Sequence, residues 1–380
     1  MAPTWHSGGR RTGRREGEDD VSATWIRVAG GLLAFFVMGL VGVLVLRHID
    51  PERAADSWSL VTIVAIPAGI AAYALIEYLQ TRRLDSLTRQ FDTRTLVLMP
   101  VAMAMNIVLG TAVASALKIP IYLDSIGTIL IAALAGPLPG ALTGLLANLV
   151  WTYLAPPPFG SPYAAPFGLV AVVIGLLAGT FARWGWLRPR PGSSGRQLVV
   201  GSVVALGLVA LMAVLALGVW RVGSRASELA PGSEDTAFLA LAWLAMLLVA
   251  GTAVGLVWIL LRDHDLAAAY IVVAGAVTGV VAAVVAAPIA ASLFGGVTGS
   301  GGDFVIAAFR QAGADLEQAV LGQSLVSDPI DKVVTYFVVY VILGTLAWRT
   351  KARFPQGRHL LPVVATDSPQ RPDGTPQPGS

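Results

Sequence analysis

Polar side chains are rare in the long apolar segments of this chain, and the few charged ones gather in two short stretches. Asp124 follows Tyr122 in one stretch, and Lys332 follows Asp328 by four residues in another. A polar group in hydrocarbon is costly without a partner, so such residues are the first candidates for function. The chemistry that these residue types favour is recognition of a small polar ligand.

Asp124 has two interpretations. It stands just before an apolar segment, where its carboxylate would cap a helix by accepting hydrogen bonds from backbone N–H groups two or three residues further on. Alternatively, it is a ligand-facing carboxylate at the mouth of a binding site, with Tyr122 beside it and Thr128 in the helix that follows.

The hexapeptide 327–332 has the pattern of a helix start. Asp328 is predicted as the N-cap, Pro329 as the first helical residue and Asp331 as an acid near the positive end of the helix dipole. Lys332 is unfavourable in that first turn, and Asp328 is an available ion-pair partner for it. A ligand or gating role for Lys332 is the alternative to a purely structural pair.

Asn148 and Trp151 lie three residues apart, so they share one face of a predicted helix. Further aromatic residues surround the proline-rich turn at 156–158, namely Tyr153, Phe159, Tyr163 and Phe167. They belong either to the aromatic belt of a membrane interface or to a wall that stacks on a flat ring. Thr298, in the glycine-rich turn 295–302, is predicted to lie at the same external end of the protein and is assigned to the same ligand-binding site.

Small residues recur every four positions in one apolar segment, at Ala102, Asn106, Gly110 and Ala114. Such a stripe allows another helix to approach closely. The approaching helix belongs either to this protein's own bundle or to a partner subunit. Asn106 within the stripe is either an interhelical hydrogen-bonding residue or a substrate contact.

Several kinds of chemistry lack the residues they need. There is no cysteine in the sequence. The sequence Gly-Lys-Ser or Gly-Lys-Thr, which a phosphate-binding P-loop requires, is also absent. The four histidines lie in predicted tails or loops, without metal-ligand spacing. We therefore expect no catalysis, cofactor or metal. The net charge of +3 reflects arginines in particular loops, which does not favour nucleic acid as a partner.

The elements that position these residues are predicted to be transmembrane helices. Of the 380 residues, 55% are hydrophobic and 13% are charged, against about 25% charged in soluble domains. A helix needs about 20 apolar residues to cross a bilayer. The predicted spans are 28–46, 57–76, 95–117, three helices within 125–182, 197–220, 236–261, 266–294 and 333–348.

The fold class predicted is thus an all-α polytopic membrane protein with about ten transmembrane helices. Most of the 26 Lys and Arg residues fall in alternate loops, which predicts cytoplasmic N- and C-termini. A segment with apolar residues at Val305, Phe309, Ala312, Leu316 and Val320 is predicted as an amphipathic helix that covers the bundle end or acts as a mobile lid. The tails 1–27 and 351–380 are predicted to be disordered.

Five separated motifs, in order, resemble the substrate-binding subunit (S component) of energy-coupling factor transporters. They are MAMNIVLG at 103–110, YLDSIGT at 122–128, GP at 136–137 with GALTGLLANL at 140–149, APIA at 287–290 with FGGVTGSG at 294–301, and SDPIDK at 327–332. The resemblance implies a six-helix core, formed by 95–186 and 266–350. The extra helix pairs in 28–94 and 187–265 depart from the family pattern.

The resemblance further implies a protein of the bacterial plasma membrane that captures a vitamin or similar small nutrient. The aromatic residues near the predicted site favour a planar heterocycle as that nutrient. A membrane coupling subunit (T component) and two cytoplasmic ABC ATPases would be its partners, with Ala102, Gly110 and Ala114, or the adjacent Ala104 row, at the coupling interface. The candidate ligand-binding residues are Asn106, Tyr122, Asp124, Thr128, Asn148, Trp151, Thr298, Asp328 and Lys332.

Two other functions stay open at this point. One is a membrane sensor or regulatory scaffold that binds a ligand or partner without transport. The other is a membrane enzyme that acts on lipid-linked substrates, which the missing catalytic motifs disfavour.

Overall fold

The computed structural model describes residues 12–49, 58–84, 88, 90–116, 121–157, 159–191, 195–229, 243, 247, 250–260, 262 and 264–362. Within these residues every regular element is a helix. The second helix of the predicted inserted pair, 236–261, lies half outside the described residues, and 1–11 and 363–380 lie wholly outside them.

Eleven α-helices are numbered here in chain order. They are α1 (Thr12–Ile49), α2 (Trp58–Thr81), α3 (Thr93–Gly110), α4 (Ile126–Ala135), α5 (Pro137–Tyr153), α6 (Gly168–Arg183), α7 (Gly195–Leu229), α8 (Ala267–Phe294), α9 (Gly302–Gln311), α10 (Leu316–Thr345) and α11 (Trp348–Lys351). A π-helical turn, Thr111–Ala116, extends α3, and the short segments Ala165–Phe167 and Gly357–Leu360 are 3₁₀ helices. A further helical stretch, Ala250–Leu260, precedes α8.

The short helix α4 lies at the centre of the bundle, and α3, α5, α6 and α10 pack around it. Its apolar sequence, IGTILIAALA, is buried on all sides except at Leu130. A helix that is apolar all round is stable only inside a protein or a membrane, which is why α4 occupies this position. The helices α8 and α10 complete the core, joined at their crossing by a hydrogen bond of 3.0 Å between the hydroxyls of Thr278 and Tyr336.

The outer helices present apolar side chains outward. Leu33 and Leu40 on α1, Val101 on α3 and Val203 and Val214 on α7 are each more than half exposed. By length and composition, four helices of the described chain can cross a membrane: Thr93–Val113, Ala165–Arg183, Gly195–Val214 and Ala267–Phe294. The protein is therefore a helical membrane protein, because such contiguous apolar surface is stable against lipid and not against water.

One end of the bundle, called here the basic end, is closed by hydrogen bonds between distant parts of the chain. Gln90, just before α3, accepts a hydrogen bond from the backbone N–H of Leu138, and Gln356 donates to the carbonyls of Leu134 and Gly179. These bonds satisfy groups that helix ends leave unpaired. The basic residues found at this end are Arg94, Arg183, Arg188, Arg190, Arg349, Lys351, Arg353 and Arg358.

Two sequence predictions about the last long helix are wrong. The helix begins at Leu316, with Asp315 as its N-cap in a capping box with Gln318, and it runs through Pro329. Asp328 is therefore inside the helix and does not cap it. The amphipathic segment is also interrupted, because Gly313 has φ +97°, and it forms α9 and the first turns of α10.

The two tails are shorter than predicted. The predicted disorder of 1–27 and 351–380 does not hold for 12–27, which belong to α1, or for 351–362, which fold against the basic end. There Leu360 is buried in the main core. The backbone N–H of Gln356 donates a hydrogen bond of 2.8 Å to the carbonyl of Leu134. The pattern of apolar residues in the sequence does not predict such a contact.

Gly127 allows α4 to approach α3, and its replacement tests this packing. A Cβ at Gly127 would lie 2.1 Å from the Ala102 carbonyl oxygen, whereas a Cβ at Gly207 in α7 would meet nothing within 4 Å. We expect Gly127→Ala to destabilise the protein by about 1–3 kcal/mol through overpacking. Gly207→Ala is the matched control and should leave thermal unfolding in detergent unchanged or slightly raised. Equal melting temperatures for both variants would contradict the packing described.

Candidate functional site

A cavity of about 130 Å³ lies at the end of the core opposite the basic end. It is enclosed by α5, α6, α8 and α10, together with the loop 121–125 and the glycine-rich turn before α9. Seven of the nine predicted ligand-binding residues line it, namely Tyr122, Asp124, Asn148, Trp151, Thr298, Asp328 and Lys332. The tertiary structure thus brings together residues as far apart in the chain as Tyr122 and Lys332.

The charged centre of this cavity is Lys332, which is 4% exposed. Its Nζ atom lies 2.5 Å from Oδ2 of Asp331, 2.8 Å from Oγ of Ser125 and 3.7 Å from Oδ1 of Asp124. The predicted partner, Asp328, is not within ion-pair distance of the ammonium, although the two residues are four apart on α10; the partners are Asp331 and, from the loop, Asp124. The ammonium is therefore compensated by two carboxylates.

Asp331 is the residue whose role the sequence did not reveal. It is completely buried, and its Oδ1 atom accepts hydrogen bonds from the backbone N–H groups of Tyr122 at 3.0 Å and Leu123 at 2.8 Å. Leu123 has φ +50°, a left-handed conformation that is costly for a side chain of this type. Asp331 thus holds the loop 121–125 in a strained shape against α10 while its second oxygen binds Lys332.

Asp124 does not act as the helix cap that its position allowed. The residue at the N-cap of α4 is Ser125, and its side chain makes no capping hydrogen bond because it accepts one from Lys332. Asp124 instead lines the cavity, with its side chain 29% exposed. This position is compatible with the second interpretation, a carboxylate that faces a ligand, which stays a prediction.

Asn106 and Thr128 are not among the residues that line the cavity. Nδ2 of Asn106 donates to Oγ1 of Thr128 at 2.8 Å, and Oδ1 of Asn106 accepts from the backbone N–H of Gly127 at 2.7 Å. Both side chains are buried. Asn106 therefore joins α3 to α4, which was the first of its two interpretations.

The predicted partner stripe on α3 faces inward in its described part. Ala102 is buried against Gly127, and a Cβ at Gly110 would lie 2.4 Å from the Trp151 ring. The side chain of Ala114 lies outside the described residues. Ala102 and Gly110 thus pack within this protein's own bundle and not against a partner subunit, because the face of α3 that carries them covers α4. The adjacent row, with Ala104, Val108 and Ala112, is exposed.

Aromatic side chains form one wall of the cavity. Trp151, Tyr163 and Phe167 line it, and Phe294 lies behind them, 5.9 Å from the Phe167 ring in a stacked arrangement and 5.2 Å from the Tyr163 ring edge-on. The indole Nε1 of Trp151 donates to the Phe159 carbonyl at 2.7 Å, which fixes the ring. Three alanines of α8, Ala282, Ala286 and Ala290, also line the cavity. Its lining therefore combines large rings with small side chains.

The glycine-rich turn is closed on itself and supplies hydroxyl groups. Asp303 accepts hydrogen bonds from the backbone N–H groups of Thr298 at 2.9 Å and Gly299 at 2.8 Å. Thr298 and Ser300 are joined through their hydroxyls, and the side chain of Ser300 also bonds Tyr122. Burial, together with the nearby Asp328 carboxylate, raises the pKa of the Tyr122 phenol well above its usual value. The phenol is therefore a protonated, hydrogen-bonding group.

Two lining residues on α10, Gln323 and Ser324, were not predicted because the helix was predicted to begin too late. Gln323 and Ser324 precede the predicted start, and they are 4% exposed each. Ser324, Asp328 and Lys332 follow one another at intervals of four residues, which places them on one helix face. The spacing is visible in the sequence, but it places the three residues on one face only if the helix continues through Pro329, as it does in the structure.

A larger groove, of about 390 Å³, lies elsewhere, between the α1/α2 pair and the helices α5 and α6. Its lining is apolar along most of its length, with Gln90, Thr180, Arg183 and His359 near the basic end. It lacks the converging charged and hydrogen-bonding groups of the smaller cavity. Among the described residues, no three His, Asp or Glu side chains are grouped to hold a metal ion.

No protein-family model matches this chain, and no curated protein or solved structure matches it significantly.

Replacement of Asp331 tests its double role. We expect Asp331→Ala to destabilise the protein by about 3–5 kcal/mol, because it leaves a buried ammonium without its nearest carboxylate. Asp331→Asn keeps an acceptor for the loop and should cost less. Glu317→Gln, an exposed acid in the first turn of the same helix, is the control. Thermal unfolding in detergent measures all three, and a wild-type melting temperature for Asp331→Ala would refute the assignment.

Proposed function

We propose that this protein is the substrate-capturing membrane subunit of an ATP-driven importer of the energy-coupling factor type. The observation that carries the proposal is the cavity at one end of the core, lined by seven of the ligand-binding residues predicted from the sequence. Its substrate is a small nutrient with a planar ring, such as a vitamin, because aromatic rings and small alanine side chains both line the cavity.

The cavity has the properties of a capture site. It combines apolar walls with a few fixed polar groups, which is typical of small-molecule sites. Its polar groups are held in place by other contacts, as when Asp331 fixes the loop that carries Tyr122 and Asp124. Such preorganisation lowers the entropic cost of binding and favours high affinity.

The proposed topology has ten spans, with both termini and the basic end in the cytoplasm of a bacterial cell. The concentration of arginine around the basic end supports this orientation through the positive-inside rule. The cavity then faces outward, where a scarce nutrient would be captured. A single helix, α4, returns the chain from the cavity end to the basic end within the core.

The coupling subunit is proposed to dock on the outward face of α3. Val97, Val101, Ala104, Val108 and Ala112 form an exposed row there at helical spacing. Small and β-branched residues permit close approach of a second helix in a membrane. This row lies beside the buried Ala102 face and is continuous along α3.

Affinity purification from the native host tests the partner assignment. We expect tagged protein, extracted in mild detergent, to bring with it a helical membrane subunit and ABC ATPases, identified by mass spectrometry. Ala104→Trp should reduce their recovery at least tenfold, because a bulky ring on the row blocks helix approach. Val203→Trp on α7 is the matched exposed control and should not. Reproducible recovery of a signalling protein in place of ATPases would favour the sensor function instead.

Mass spectrometry of the extracted small molecules tests the cavity. We expect a metabolite to be retained by the wild-type protein and lost, at least tenfold, by Trp151→Leu, which removes part of the aromatic wall. Trp348→Leu, an exposed tryptophan at the basic end, is the matched control and should retain it. Both variants must elute as one sharp peak. Retention by Trp151→Leu equal to that of the control would exclude this cavity as the site.

A further inference from the structure

The charges around the cavity do not balance. Among the described residues that line it, Lys332 is the one basic side chain, whereas Asp124, Asp303 and Asp328 are acidic. Asp331, directly behind the lining, takes the nearest position on the Lys332 ammonium. Asp124 is the second carboxylate of that ammonium. One lysine is thus shared by two carboxylates before Asp328 is considered.

Asp303 is accounted for by its own turn. It accepts hydrogen bonds from the backbone N–H groups of Thr298 and Gly299 and from the Thr298 hydroxyl. Those bonds close the glycine-rich turn and satisfy the carboxylate. Asp303 therefore has a structural role at the rim, and the unbalanced charge does not come from it.

Asp328 is different from the other acids of the cavity. It is 7% exposed, it lines the cavity, and it accepts no hydrogen bond from any described residue. It also lies beyond ion-pair distance of Lys332, its neighbour one turn along α10. A buried carboxylate is strongly unfavourable in its ionised form unless it is paired, so burial favours the neutral, protonated form of Asp328 in the empty cavity. A positively charged ligand would stabilise the ionised form and become its ion-pair partner.

Gln323 provides an independent indication of a ligand. Its side chain is 4% exposed and lines the cavity, and its amide Nε2 has no hydrogen-bond partner among the described residues. A buried amide donor without an acceptor costs about 1–3 kcal/mol. Gln323 and Asp328 lie on the same helix, so one bound molecule can satisfy both.

The aromatic wall favours an organic cation over an inorganic one. Trp151, Tyr163 and Phe167 present rings to the same cavity as Asp328. Aromatic faces attract positive charge, and the attraction is greatest in desolvated sites. A metal ion would instead require several oxygen ligands converging on one point. The cavity volume of about 130 Å³ has room for roughly ten non-hydrogen atoms. This is the size of one substituted ring or of two small fused rings.

We propose that the cavity binds a planar, positively charged nitrogen heterocycle, with Asp328 as its counter-ion and Gln323 as donor to an acceptor atom on the ring. This inference rests on the proposed function, since it takes the cavity to be the capture site. It narrows the substrate from any small planar nutrient to one that carries positive charge when bound. Lys332 is excluded as the substrate's main anchor because its charge is already compensated within the protein.

A charge series of near-identical shape tests the proposal on the purified full-length protein. The probes are 1-methylnicotinamide, nicotinamide and nicotinate, which are cationic, neutral and anionic, together with aminopyrimidines, imidazoles and fused two-ring heterocycles that each include charged and uncharged members. Binding is measured by calorimetry and by thermal stabilisation. We expect the ligands that bind to be cations, each at least tenfold tighter than its neutral counterpart.

The variant Asp328→Asn keeps the shape of the side chain and removes its charge. We expect it to weaken cation binding roughly 30-fold or more, in line with the loss of one partner of a buried charge pair, while binding of the neutral counterpart is unchanged or improved. Gln323→Met should weaken those ligands that carry a ring acceptor. Glu317→Gln, an exposed acid on the same helix, is the control and should bind as the wild type does.

The possible outcomes separate this inference from the proposed function. Tight binding of a neutral or anionic ring, or cation binding that Asp328→Asn leaves intact, overturns the cation assignment and leaves substrate capture standing. If no member of any charge class binds and no metabolite is retained on purification, substrate capture itself fails. Should Asp328→Asn not fold, the charge preference of the wild-type protein and the charge of its retained metabolite decide the question.

Discussion

The candidate site depends on one buried interaction, the contact between Lys332 and Asp331. Asp331 binds the ammonium with one oxygen and two backbone N–H groups of the loop 121–125 with the other. A buried ion pair is weakly stabilising by itself, because desolvation offsets much of the attraction. Its effect here is specificity, since it fixes where the loop meets α10 and thus where Tyr122 and Asp124 stand around the cavity.

The same arrangement explains why charge is left over in the cavity. Lys332 is hydrogen-bonded and ion-paired to its neighbours, so Asp328 is left without an ion-pair partner among the described residues. Hydrogen bonds between helices hold the surrounding core together: Asn106 joins α3 to α4, and Thr278 and Tyr336 join α8 to α10. A site whose shape is fixed by its surroundings can keep an ionisable group available for a ligand.

Several of the polar and aromatic residues that line the cavity were predictable from the sequence, and their contacts were not. Polar residues in apolar segments are rare enough that Tyr122, Asp124 and Lys332 stand out, and the aromatic cluster marks the same end. Gln323 and Ser324 were missed because Pro329 reads as a helix start. A proline inside a membrane helix is tolerated when neighbouring elements replace the lost hydrogen bond, and no local pattern reveals that.

The sequence by itself determined that this is an all-helical membrane protein, since apolar runs long enough for a bilayer follow from composition alone. It also determined the small set of polar residues from which a site could be made. Only the tertiary structure decided which of them meet: Asn106 and Thr128 bond each other, Asp331 holds the loop, and Asp328 faces the cavity unpaired. The physical reason is that burial and pairing of polar groups depend on contacts between residues far apart in the chain, which periodicity along one helix does not encode.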